Sequence, residues 1–211
     1  MRNRKLFLYL VFIVTVTTRG VSQLTIDATG PVRQLKHEPT SGRGGVVGPR
    51  RLSLRLSINV PSAVRDAAGT SLVEFILTNT GTSPITLPTS PNPGDFEPPD
   101  PATPYSVMVL GLNISRKGKP GSFLKGGAIL FGNESISESV ARLAPGNFMH
   151  ILARVALPER EGQGAEEFVA DASLTNQTIK TESGKLVSDS QEIGYAQSEE
   201  YSFNSLLQAR P

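Results

Sequence analysis

The chain has 211 residues, with 21 Lys and Arg against 19 Asp and Glu, and it contains neither cysteine nor tryptophan. The missing thiols exclude a disulfide framework, a cysteine nucleophile, a cysteine-ligated zinc and a lipid-modified N-terminal Cys, so the core has to hold by packing alone. The formal charge of +2 is no evidence for nucleic acid, because the excess is concentrated at the N-terminus.

Arg2, Arg4 and Lys5 precede an apolar run from Leu6 to about Val16, followed by the small residues Gly20 and Ser22. This is the layout of a secretory signal peptide over residues 1–22, cut after Ser22. Roughly eleven apolar residues fall short of the ~20 that a membrane-spanning helix needs. Removing Arg2, Arg4, Lys5 and Arg19 takes 21 basic residues to 17 against 19 acidic, so the mature chain carries a net −2. Export without cysteine points to a bacterial periplasmic or secreted protein, in which the sequons at Asn113, Asn133 and Asn176 arise by chance.

Residues 23–50 lack a period and include a Gly-rich polar run, which predicts a flexible leader. In residues 52–60, Leu52, Leu54, Leu56, Ile58 and Val60 alternate with Ser53, Arg55, Ser57 and Asn59, which predicts a strand with one buried and one wet face. Residues 71–87 read as a strand built on Val73, Phe75 and Leu77, a turn at Asn79, Thr80 and Gly81, and a second short strand opened by Pro84. The proline-rich stretch 88–104 leaves room for neither ladder nor helix and predicts a stiff loop. In it Phe96 is an apolar anchor among Asp95, Glu97 and Asp100; these four residues are the candidate partner contact, the alternative being that Phe96 folds back to cap an open end of the sandwich.

Residues 105–114 predict an interior strand with a bulge or a close backbone approach at Gly111. A basic, Gly-rich loop follows over 115–127, and Ala128 to Phe131 form a short buried strand. Pro145 and Gly146 are the central pair of a type II turn leading into a strand on Met149, Ile151, Ala153 and Val155. Phe168, Ala170, Ala172 and Leu174 form one face of a later strand. Weak strands are expected near 185–188 and 192–196, and residues 201–211 read as a polar tail. About seven or eight short strands separated by Gly, Pro and Asn turns predict an all-β, antiparallel sandwich over residues 51–200.

The pair LTNTG (Leu77 to Gly81) and LAPG (Leu143 to Gly146) resembles the turns of immunoglobulin-like β-sandwich modules found in exported bacterial proteins. The resemblance implies an immunoglobulin-like fold of the antiparallel type. One branch resembles a bacterial proteinase-inhibitor domain, which implies inhibition through an exposed loop as an alternative function. The chain departs from antibody-type domains in lacking a Cys pair and a core Trp, so it transfers no binding residue.

No motif for catalysis stands beside it. His37 falls in the leader and His150 on an exposed strand phase, with no nucleophile elbow, phosphate-cradling loop or two-His helix. Asp95, Glu97 and Asp100 lack the alternating acidic loop of a strong calcium site, and the basic loop lacks the interleaved aromatics of a nucleic-acid reader. A carboxylate-pair hydrolase is the third function class, since it requires only two acids at the right separation. The expectation is a noncatalytic binding, adhesive or accessory module of the cell envelope. It uses no cofactor, metal or nucleic acid, keeps no transmembrane segment after signal cleavage, and meets a protein or glycan partner.

Overall fold

The computed structural model describes residues 23–30, 40–41, 50–60, 69–90, 103–156, 166–182 and 185–205. The strands are β1 (Gln23–Ala28), β2 (Thr40–Ser41), β3 (Arg50–Arg51), β4 (Leu54–Asn59), β5 (Thr70–Asn79), β6 (Ile85–Pro88) and β7 (Tyr105–Arg116). They continue with β8 (Lys119–Gly132), β9 (Val140–Leu143), β10 (Phe148–Ala156), β11 (Glu166–Glu182), β12 (Lys185–Gln197) and β13 (Tyr201–Ser205). The described chain is all-β and mostly antiparallel. It has eleven strands of four residues or more, against the seven or eight expected.

Sheet A has the order β1-β10-β5-β4, and sheet B the order β2-β12-β11-β7-β8, with β13 on the first half of β11 and β3 on β12. β6 and β9 form a separate two-stranded ribbon. β1 joins β10 in parallel, and β2 and β3 join β12 in parallel.

The inner faces of the two sheets share one core. Val73, Phe75 and Leu77 of β5 and Met149, Ile151 and Ala153 of β10 are fully buried, as the alternation of the sequence requires. They meet Leu110, Leu112 and Ile114 of β7 and Phe168, Ala172 and Leu174 of β11 in a single cluster. β8 crosses β10 so closely that a Cβ on Gly126 would lie 2.2 Å from Val155 Cγ1. A smaller cluster of Tyr105, Val107, Phe131 and Ile179 lies apart from it; Tyr105 and Val107 stand in the opposite strand phase to Leu110 and Leu112, on the outer side of sheet B.

Two departures from the sequence reading, at residues 23–28 and 201–205, share a cause, namely pairing partners that are distant in the chain. Residues 23–28, placed in a periodless leader, form β1 because β10 offers them a complete ladder from Phe148 to Ala153. The expected basic loop 115–127 is instead a hairpin: Lys117 and Gly118 turn between Arg116 and Lys119, the register shifts between Arg116 and Ile114, and β8 then pairs along β7 from Leu124 to Gly132. The two weak strands near 185–196 are one strand paired along β11, and Tyr201 to Ser205, placed in the tail, pair with β11 as β13. Gly111 is not a bulge, since its register with Gly127 and Ser173 is continuous. The tight contact there is with a side chain and not a backbone: a Cβ would lie 2.9 Å from Ser173 Oγ and 3.9 Å from Ser173 O.

The turn over 144–147 forms as read. Asn147 N–H donates to Ala144 O at 3.0 Å, and Gly146 takes φ +78°, the left-handed value that a type II turn demands.

Candidate functional site

Three side-chain rows tile the outer face of sheet A. The ladder registers align Ser57, Ile76, His150 and Thr25 in one row, Asn59, Glu74, Leu152 and Asp27 in the next, and Arg55, Thr78, Phe148 and Gln23 in the third. Ile76, Phe148 and Leu152 are half-buried, so the middle of the face is apolar yet open to solvent. His150 takes the outward phase read from its alternation with Met149 and Ile151.

A polar chain crosses this apolar centre. His150 Nδ1 pairs with Glu74 Oε1, their side chains 21% and 17% exposed. The contact fixes the imidazole proton on Nδ1 and orients the ring. Phe148 flanks that ring with centroids 5.0 Å apart. The other carboxylate oxygen of Glu74 accepts from Asn59 Nδ2 at 3.2 Å, and Asn59 Oδ1 accepts from Tyr201 Oη at 3.3 Å. Tyr201 is held for that role by stacking on Phe203 at 6.2 Å, and Phe203 stacks on the buried Phe168 at 5.6 Å. Sheet B thus positions the last member of a chain that runs across sheet A.

Among the described residues the polar partner of the His150 ring is the Glu74 carboxylate. Glu74 and Asp27 share a row but stand two strands apart, a backbone separation of about 10 Å. Asp27 is committed to its own turn: its Oδ1 accepts from Thr29 Oγ1 at 2.6 Å and Thr29 N–H at 2.9 Å. Those two bonds, the side-chain one foremost, hold its pKa below the ordinary carboxylate value, with a smaller pull from Arg154. No group of three metal-ligating side chains is found among the described residues.

Asp95, Phe96, Glu97 and Asp100, the expected contact residues, lie outside the described residues, as does His37. The turns LTNTG and LAPG, distant in sequence, are brought together by one side chain. Asn79 Nδ2 donates to Leu143 O at 2.8 Å and to Ser83 O at 2.9 Å, and its Oδ1 accepts from Gly81 N–H at 2.9 Å. Its backbone closes the joint, since Gly146 N–H donates to Asn79 O at 2.9 Å. Of the sequon residues, Asn133 is 3% exposed with Nδ2 enclosed, and Asn113 donates to Asp171 Oδ2 at 3.2 Å.

Sequence reasoning missed Asn59, Glu74 and Tyr201 as partners of His150. A charged residue in the outward phase of a central strand, at Glu74, was the available signal. Tyr201 gave none, because its place follows from where β13 docks.

No protein-family model matches the chain, and no curated protein matches it. Solved structures similar to it include a protein assigned as ApaA from Bordetella pertussis, 14% identical, at a TM-score of 0.32, covering 78% of this chain and 100% of that one. Another is the Northeast Structural Genomics Consortium target SoR45, 10% identical, at a TM-score of 0.30, covering 72% of this chain and 86% of that one. At such scores the likeness carries no weight for fold or function.

Proposed function

We propose that the chain is a noncatalytic, exported binding module of immunoglobulin-like build, working in the bacterial periplasm or outside the cell, that meets a protein or glycan partner through the outer face of sheet A. The observation that carries this reading is the half-buried apolar centre of Ile76, Phe148 and Leu152, crossed by the bonded chain from His150 to Tyr201. A rigid sheet presenting apolar area around polar groups already fixed by one another loses little conformational freedom on binding. The joint at Asn79 supports the immunoglobulin-like build, because it couples the two turns on which the resemblance rests. No helix of the described residues is long and apolar enough to cross a membrane, which agrees with a chain free of a helical anchor there.

The test exposes arrays of envelope glycans and proteins to residues 23–211 and to an Ile76→Ser, Leu152→Ser variant that keeps its cooperative melt. Binding by the parent and its loss in the variant is the expected result. Equal binding by both removes sheet A as the contact surface, and turnover of any arrayed glycan that disappears in Glu74→Gln overturns the noncatalytic reading.

A further inference from the structure

The outer face of sheet B carries a trough of about 400 Å³ that crosses β8, β7 and β11. That volume falls within the range of small-molecule sites. The ladder registers place its walls. Ile129, Val109, Thr175 and Tyr195 form one row, Gly127, Gly111, Ser173 and Gln197 the next, and Asn113 and Asp171 stand in the third. Leu110 and Leu112, in the opposite phase of β7, are buried in the shared core, so these rows face away from it.

The middle row is low because two of its members are glycines. A Cβ on Gly127 would lie 1.8 Å from Leu110 O, and one on Gly111 2.9 Å from Ser173 Oγ, so neither position takes a larger residue without movement. The rows at Val109 and Asn113 are four residues apart, about 13 Å along the strand. The trough is therefore shallow and broad, with Ser173 Oγ over its floor.

Its two walls differ in chemistry. Val109 is 36% exposed and Ile129 half-buried, so one wall presents methyl groups, and Tyr195, 39% exposed, stands in the same row. On the other wall Asn113 Nδ2 donates to Asp171 Oδ2 at 3.2 Å. That bond fixes both side chains but uses one amide hydrogen and one carboxylate oxygen, and each group can bond more than once. Ser173 Oγ makes no hydrogen bond to any described residue. An aliphatic side chain seated here would satisfy the first wall and desolvate Asp171 without a partner. An anion would meet the Asp171 carboxylate at like charge. A sugar ring matches both walls, since its C–H face is apolar and its edge carries hydroxyls that donate and accept.

We propose that this trough is a saccharide site. One ring lies with its C–H face against Val109 and Ile129 and its hydroxyls on Asn113, Asp171 and Ser173. Tyr195, diagonal to Ser173 across β11 and β12, stacks on the next ring of the oligosaccharide. The site lies on sheet B, away from the face of sheet A proposed above, and does not rest on that reading.

NMR titration of isotope-labelled residues 23–211 with maltotriose, mannotriose and the N-acetylglucosamine trimer, each to tens of millimolar, tests the proposal. At least one trisaccharide is expected to shift the amides of Gly111, Gly127 and Ser173 along a single saturation curve. Asp171→Ala, first shown to melt like the parent, should weaken that binding at least about tenfold, the loss of one hydrogen bond to a charged group. If the alanine variant melts early, Asp171→Asn gives the same reading. Tyr195→Ala should bring the trisaccharide down to the affinity of the single sugar, and Ile76→Ser, Leu152→Ser on sheet A should change nothing. The proposal is overturned if no trisaccharide moves those amides, if removing the Asp171 carboxylate leaves the curve unchanged, or if the sheet A variant abolishes it.

Discussion

Asn79→Ala removes the one side chain that joins the β5 end to the turn before β10, and the structure sets the size of the loss. Leu143 is 4% exposed, so its carbonyl, which accepts from Asn79 Nδ2, has little access to water once that donor is gone. An unsatisfied buried carbonyl costs about 1–3 kcal/mol. The bonds to Ser83 O and from Gly81 N–H lie nearer the surface, where water replaces them in part, and add about 0.5–1 kcal/mol each. The expected total is about 2–4 kcal/mol, with the same urea m-value because the fold is retained. Asn79→Asp separates the roles of the two amide ends. It keeps the acceptor for Gly81 N–H but turns an oxygen toward the Leu143 carbonyl, and it should destabilise at least as much as the alanine. Urea melts of the three proteins decide it. A loss under about 1 kcal/mol for Asn79→Ala would mean that water satisfies Leu143 O and that the joint is incidental.

Two further outcomes follow from burial and charge. Phe75 is fully buried at the centre of the shared core, so Phe75→Ala should cost about 3–5 kcal/mol while Ser57→Ala on the half-open face stays near neutral, as urea melts of both will read. Because Thr29 holds the Asp27 carboxyl below its ordinary 3.8, the β1 end is stabilised above that pH and loses the contribution as pH falls through the lower folded value. Stability measured from pH 5 downward should therefore show Asp27→Asn weaker than the parent at the top of the range and converging with it in acid. Parallel curves would refute the role of the Thr29 bonds.

The strict alternations of residues 52–60, 71–79 and 149–155 determined by themselves which side chains face the core, because a period of two leaves each strand only one way to bury its apolar face. The outward phases of Arg55 and His150 follow from the same rule, as does the left-handed Gly146 of the Pro-Gly turn. Tertiary structure decided what those strands pair with. Residues 23–28 and Tyr201 to Ser205 carry weak local patterns and become strands only because β10 and β11 present free ladder edges to them. Local sequence holds no record of that opportunity, since the hydrogen bonds are made to residues more than thirty positions away. The chain from His150 through Glu74 and Asn59 to Tyr201 is of the same kind. Its members come from β10, β5, β4 and β13, and only ladder registers and the docking of one sheet on the other set them within hydrogen-bonding reach.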